Sequence, residues 1–264
     1  MDVITALRAT GDDFDRMIAD LDDAAWSLPT PSPGWTVKHQ VAHLTAIFAM
    51  AGLAAADGDR FRAMMSGLSD DFDANVAGAM APHLALDTTE LVNRWQMTKA
   101  TSIGALAAVP ADAVVPWLVN PLPPSVLASA GMMELFGHGQ DVADALGVHR
   151  EWDDRLGFLV GFAVRTKDFG YLARGEEPPA DEFRFEITAP SGKRWDFGPE
   201  DAAQRVTGSA EDFCLLVTRR RHHTDLDVRA EGELATRWLE IAQAYRGPAG
   251  EGRRPGQFAL SNVD

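Results

Sequence analysis

The chain has 264 residues, with 24 Lys plus Arg against 39 Asp plus Glu, a formal charge of −15, and is 46% hydrophobic and 24% charged. That is the composition of a globular protein of one or two domains that can bury a core without disulfides, and its single Cys, Cys214, excludes both a disulfide framework and any site needing two thiolates. The acidic balance argues against nucleic acid or an anionic membrane as partner, no run approaches the ~18 apolar residues of a membrane span, and the N-terminus lacks a signal peptide's basic start, so a soluble cytoplasmic protein is expected.

In chain order, Ile4, Leu7, Phe14, Met17, Ile18 and Leu21 fall near one face of a 3.6-residue period and predict a first helix. The segment Leu28-Pro29-Thr30-Pro31-Ser32-Pro33-Gly34 cannot continue it, because three prolines remove donors and restrict the residues before them. Thr36 is positioned as the N-cap of a helix from about Val37 to Ala56. A third helix is predicted from Leu86 to Val109, opened by a capping box of Asp87 and Glu90. After the Pro-rich connection from Pro110 to Pro124, a fourth runs from Ser125 to Leu146 and stops at Gly147. One more helix is expected between Asp153 and Leu172.

The texture changes after Gly175. Phe183-Arg184-Phe185-Glu186-Ile187 alternates as a half-buried strand does, and Trp195-Asp196-Phe197 resumes the alternation beyond the turn Pro190-Ser191-Gly192-Lys193, which predicts a hairpin over 183–197. Ser209 and two acidic residues precede a short helix through Phe213 to Val217, Leu226 to Val228 reads as a strand, and Leu234 to Tyr245 as a last helix. The tail from Gly247, rich in Gly and Pro, is expected to be loosely ordered. The expectation is an α+β protein with a helical domain over 1–175 and a smaller α/β domain over 176–264.

Two stretches stand out chemically. His39 and His43, and Glu134 and His138, are pairs of metal-ligating side chains four residues apart on predicted helices, so each pair sits about one turn apart on nearly one face. Imidazole and carboxylate together suit zinc or a similar divalent ion. His43 lies among Val37, Val41, Leu44 and Ile47, and Glu134 and His138 share a side with Ala130 and Val142; an unpaired carboxylate on such a face is costly, and a metal would make it tolerable. His39 could be rim or interior. Gln140 and Asp141, just past His138, are placed to orient imidazoles from behind. Cys214 reads as a buried structural thiol, His222-His223 as a solvated loop, and Trp35, Trp117, Trp152, Trp195 and Trp238 as core or domain-interface residues.

The stretches GWTVKHQVAHL (34–44) and GMMELFGHGQDVADALG (131–147) resemble the two motifs of the DinB-like, mycothiol-dependent maleylpyruvate isomerase family, and 206–220 resembles its C-terminal region. The resemblance, over about 5–245, is nearest to an actinobacterial branch known only as metal-binding proteins. It implies a four-helix bundle holding one divalent metal, usually zinc, and a C-terminal domain of sterol-carrier-like shape. By motif position the metal ligands are His43, Glu134 and His138, with His39 as a neighbour or spare. Arg220, with Arg219 as its alternative, is the residue implied to bind the acidic substrate or the thiol cofactor mycothiol. The resemblance thus points to a thiol-dependent isomerase or S-transferase acting on a small molecule, by way of an open metal position that activates a thiol or water. A thiol-independent biosynthetic cyclase or isomerase on the same scaffold, and a non-catalytic binding protein stabilised by its metal, are the two alternatives.

Overall fold

The computed structural model describes residues 1–118 and 120–258. It divides into two compact units, Met1–Arg150 and one that starts at Glu151.

The first unit is helical. α1 (Val3–Ile18) is capped by Asp2, whose carboxylate accepts the Thr5 amide at 2.9 Å, and it buries Leu7, Phe14 and Ile18. A one-turn α2 (Asp23–Trp26) precedes the proline loop, whose ends are joined by a bridge between Pro29 and Thr36. α3 (Val37–Ala56) has the predicted bounds. α4 (Gly58–Met65) and α5 (Phe72–Leu84) fill the interval before α6 (Thr88–Ala108), where Asp87 accepts the Glu90 amide at 2.8 Å and Glu90 accepts the Asp87 amide at 3.2 Å, as the capping box requires. α7 (Pro124–Leu146) starts with Pro at its first position and ends at Gly147, whose φ of +67° is the left-handed geometry that stops a helix.

Helices α1, α3, α6 and α7 pack on one another, α3 against both α6 and α7. By length and composition α3 could cross a membrane; here Val37, Val41, Leu44 and Phe48 are instead buried against its neighbours. Trp95 of α6 takes Phe14 and Phe48 edge-on, with ring centroids 5.6 and 5.1 Å away. Lys99, buried on α6, reaches Asp12 and Asp15 of α1 at 2.6 and 2.7 Å. α3 and α6 approach closely at Gly52, where a Cβ would lie 2.5 Å from Ser102 Oγ. These contacts hold the faces of α3 and α7 that carry the site.

The second unit begins with α8 (Leu156–Arg165) and α9 (Phe169–Leu172). The single helix expected over 153–172 is broken at Thr166, whose buried hydroxyl bonds the Phe162 carbonyl at 2.9 Å. Because α8 packs on α10 (Ala210–Val217), the units divide at Arg150 and not near residue 175, where the change of texture had suggested a boundary. The sheet contains β1 (Phe183–Thr188), β2 (Arg194–Phe197), β3 (Gln204–Ser209) and β4 (Val228–Glu231) in the order β2-β1-β3-β4. β1 and β2 form the expected hairpin, with Phe185 opposite Phe197 and Ile187 opposite Trp195. β3 runs parallel to β1, and β4 starts where the predicted strand 226–228 ends. Phe185 packs edge-on against Phe213 of α10 and Trp238 of α11 (Glu233–Ile241), at 5.9 and 5.4 Å, so the period-2 pattern of β1 faces the two helices.

Candidate metal centre

Three side chains of the first unit converge. His43 projects from the second turn of α3, and Glu134 and His138 from successive turns of α7, so one face of each helix meets at a common point. A Glu134 Oε2 lies 3.2 Å from His138 Nε2 and 3.5 Å from His43 Nε2, and one donor atom from each residue lies within 4.8 Å of the other two. The two imidazole centroids are 4.3 Å apart. All three side chains are half-buried, with 15–19% of their surface exposed, so the cluster is sheltered and still reachable. Burial alone pushes the Glu134 carboxyl up; hydrogen bonds and positive charge from His138 and His43 outweigh it and hold the carboxyl well below the usual range.

The hydrogen positions behind His138 can be worked out. Its Nδ1 is 2.6 Å from Gln40 Oε1. The Gln40 amide nitrogen donates to Thr30 Oγ1 at 2.9 Å, and the Thr30 hydroxyl donates to the Trp35 carbonyl at 3.0 Å. A carbonyl can only accept, so each group in the series is oriented in turn and Nδ1 of His138 must carry hydrogen. When the ring is neutral its Nε2 lone pair faces Glu134, and when the ring is protonated Nε2 donates to that carboxylate.

His39 does not join the three. Its Nδ1 accepts the Thr36 amide at 3.2 Å, completing a capping box at the start of α3; burial and the Lys38 charge lower its pKa, which favours this neutral accepting form. Gln140, expected behind an imidazole, turns instead to Asp144 at 2.9 Å. Asp141 is fully buried and accepts Ser32 Oγ at 2.8 Å, with the Gln40 amide at 3.5 Å, so it meets the site through Gln40 and the proline loop.

Sequence reading did not single out Gln40, and it placed Trp35 among the core or domain-interface residues rather than at the site. The Trp35 ring sits 5.3 Å from that of His43 and 5.9 Å from that of His138, nearly parallel to the latter at 21°, and forms an aromatic wall beside the donors. Its place right after Pro33-Gly34 and four residues before His39 was the available signal.

Arg219 and Arg220 belong to the second unit. Arg219 holds φ +57°, a left-handed geometry that usually selects Gly, while its amide and that of Arg220 bond the Leu216 and Leu215 carbonyls at 2.9 and 2.8 Å to close α10. The Arg220 guanidinium donates to the Thr218 carbonyl. Cys214 is fully buried, and burial followed by the Glu211 charge pushes its thiol well up, as befits a structural residue.

Fold and cluster define a two-unit protein: a helical unit with a two-histidine, one-carboxylate donor set, and an α/β unit built on a mixed sheet. The sequence model of the mycothiol maleylpyruvate isomerase N-terminal domain matches residues 7–143, about half the chain, and the protein belongs to that family. Residues 179–231 match a second family model, described as wyosine base formation. Uncharacterized proteins from two strains of Mycobacterium tuberculosis are each 43% identical over 250 residues, covering 95% of this chain and 97% of theirs. Two crystal structures of the mycothiol-dependent maleylpyruvate isomerase, one of a histidine-to-alanine mutant, share the fold with TM-scores of 0.57, covering 86% of this chain and 91% of theirs at 18% and 17% identity.

Proposed function

We propose that the protein is a metal-dependent enzyme that activates a small thiol of the mycothiol type for addition to a small electrophilic substrate, giving isomerisation or S-transfer. One observation carries the metal part of this reading. With Nδ1 of His138 committed to Gln40, a neutral ring would meet the ionised Glu134 as a second acceptor 3.2 Å away, so a positive centre, a proton on Nε2 or a bound cation, satisfies the pair, and the cation is the reading proposed here. Donors around a tetrahedral ion with bonds of ~2.0–2.1 Å stand about 3.3 Å apart, close to the 3.2 and 3.5 Å separations here. His43, Glu134 and His138 would hold the ion, with zinc the expected one.

A divalent ion at that point supplies Lewis acidity, lowering the pKa of a thiol or water that binds beside it. The chain does the rest. Two neutral imidazoles and one carboxylate cancel only one of the ion's charges, which favours an anionic ligand over a neutral one. Trp35 walls one side of the donors, limits water and offers a flat apolar surface. Arg220, with Arg219 beside it, is the proposed partner for an acidic group of substrate or cofactor, a role for which a fixed guanidinium is suited. We assign the activity to the cytoplasm, where low-molecular-weight thiols stay reduced.

The test uses protein loaded with cobalt(II) or zinc. On adding mycothiol, the cobalt form is expected to gain a sulfur-to-metal charge-transfer absorption, and the zinc form to convert maleylpyruvate or a related unsaturated oxo acid only with thiol present. His138→Ala is expected to lose both signals. Turnover that persists after exhaustive chelation, or without thiol, overturns the proposal.

A further inference from the structure

The donor set needs His138 to present the correct nitrogen. In a neutral imidazole one nitrogen carries hydrogen and the other a lone pair, and the free ring distributes between the two tautomers. A site that must find the second tautomer at each binding event loses affinity.

We propose that Gln40 is the residue that fixes this choice: a positioning residue on α3 whose side-chain oxygen holds the Nδ1 hydrogen of His138 on α7, so that Nε2 is always the donor beside Glu134. The ion in this statement rests on the function proposed above; the tautomer does not. Three observations carry it. The contact is short, 2.6 Å, and joins side chains 98 residues apart, so nothing local enforces it. Gln40 is fully buried, where an unsatisfied amide is costly, and its partners leave it no alternative orientation. Were the amide reversed, its oxygen would face the Asp141 carboxylate and the Thr30 hydroxyl, which already donates to the Trp35 carbonyl. The backbone carbonyl at one end and the carboxylate at the other, both acceptors only, thus determine where a hydrogen sits three groups away.

The choice of an amide has its own consequence. A carboxylate in the same place would also hold the Nδ1 hydrogen, but would bring a second negative charge to the cluster and offset the charge that draws an anionic ligand. Gln40 orients without neutralising. The series also passes through Thr30 to the backbone of Trp35, so the residue that fixes His138 is connected to the wall beside it.

The test reads the ring nitrogens directly. In metal-free, nitrogen-15-labelled protein at a pH where His138 is neutral, long-range proton–nitrogen spectra, assigned with His138→Ala, are expected to show hydrogen on Nδ1. Gln40→Met, which keeps length and removes the acceptor, is expected to show a tautomer mixture and to bind cobalt(II) ten- to a hundredfold more weakly in competition with a chelator. Hydrogen on Nε2 of wild-type His138 overturns the proposal, as does a Gln40→Met protein that retains both tautomer and affinity. If Gln40→Met does not fold, the wild-type spectrum decides. If the wild type binds none of the ions offered, the proposed function fails while the tautomer result still stands or falls by itself.

Discussion

Replacing Glu134 by Gln keeps the shape of the cluster and removes its one negative donor. A ligand that binds only the folded state stabilises it by RT ln(1 + [L]/Kd), about 2.7 kcal/mol at a hundredfold excess over Kd. For a domain of this size each kcal/mol moves the midpoint by about 2–4 °C, so saturating wild type with the proposed ion is expected to raise Tm by about 5–10 °C over the chelated protein. Removing a group merely behind a ligand already costs ten- to a hundredfold in affinity, and Glu134 Oε2, within 3.5 Å of both imidazole nitrogens, is itself at the centre of the cluster. A hundredfold loss at the same ion concentration leaves RT ln 2, about 0.4 kcal/mol, or a shift of about 1–2 °C. The assay is a thermal scan of both proteins with chelator and with zinc, cobalt(II) or manganese(II). Equal shifts in wild type and Glu134→Gln, or none in wild type with any ion, would falsify the assignment of the ligands. The carboxyl gives a second check in chelator. Its folded pKa is depressed below the ordinary 4.5, so its contribution is present above that pH and is lost as pH falls toward the folded value. The stability gap between wild type and Glu134→Gln should therefore close as the metal-free proteins are acidified below about 4.5.

The cap at the start of α3 is also pH-dependent: His39 accepts the Thr36 amide only when neutral and its folded pKa lies below the ordinary 6.5, so the cap is intact above that pH and fades as pH falls through the folded value. Urea midpoints in chelator between pH 7.5 and 5 should fall for wild type by up to about 1 kcal/mol more than for His39→Gln, whose amide caps at every pH; parallel profiles would contradict this. Trp35 lies within 6 Å of two imidazole rings, so cobalt(II) or copper(II) should quench its emission, and Trp35→Phe should abolish the quenching without changing ion affinity more than a few-fold in chelator competition. Arg219→Gly relieves a left-handed non-Gly residue, and after Gly's own entropy cost of about 0.5–1 kcal/mol it should leave a net gain of up to about 1 kcal/mol by urea denaturation. A loss of stability there would mean that the guanidinium's bond to the Gly250 carbonyl outweighs the strain.

What could be read in the chain divides along the locality of each signal. The bounds of α3, α6 and α7 were legible because caps and stops are written within four residues of each end: Thr36, the Asp87–Glu90 box and Gly147. The donors were legible for the same reason, since Glu134 and His138 are one turn apart. α4 and α5 have little periodicity to read, as each buries one residue, Phe61 and Met80, and α5 carries Pro82 in its interior. β3 escaped because its pairing is with β1 in parallel, across an intervening strand, and only Val206 along it is fully buried. The helix over 153–172 was read as continuous because nothing local shows that Thr166 is buried and turns its hydroxyl back on the preceding turn. Gln40 is the clearest case. A glutamine amid apolar residues carries no motif, and its partner lies 98 positions away. The neighbour in sequence, Gln140, offered a plausible local alternative that packing assigns to Asp144.

The same division separates two parts of the chemistry. Every group argued to hold or orient an ion, namely His43, Glu134, His138, Gln40 and Trp35, belongs to the first unit, while Arg219 and Arg220 belong to the second. On the proposed function, metal affinity would be a property of α3, α7 and the proline loop, sensitive to helix packing and to the direction of a short series of hydrogen bonds. On that same proposal, recognition of an acidic substrate or cofactor would draw on a different segment, the end of α10, where Arg219 holds a left-handed φ. Strain of that kind costs stability and persists only where surrounding structure enforces it; here the two amide bonds that close α10 supply that enforcement. A donor set fixed by packing within one unit can remain constant while the second unit varies.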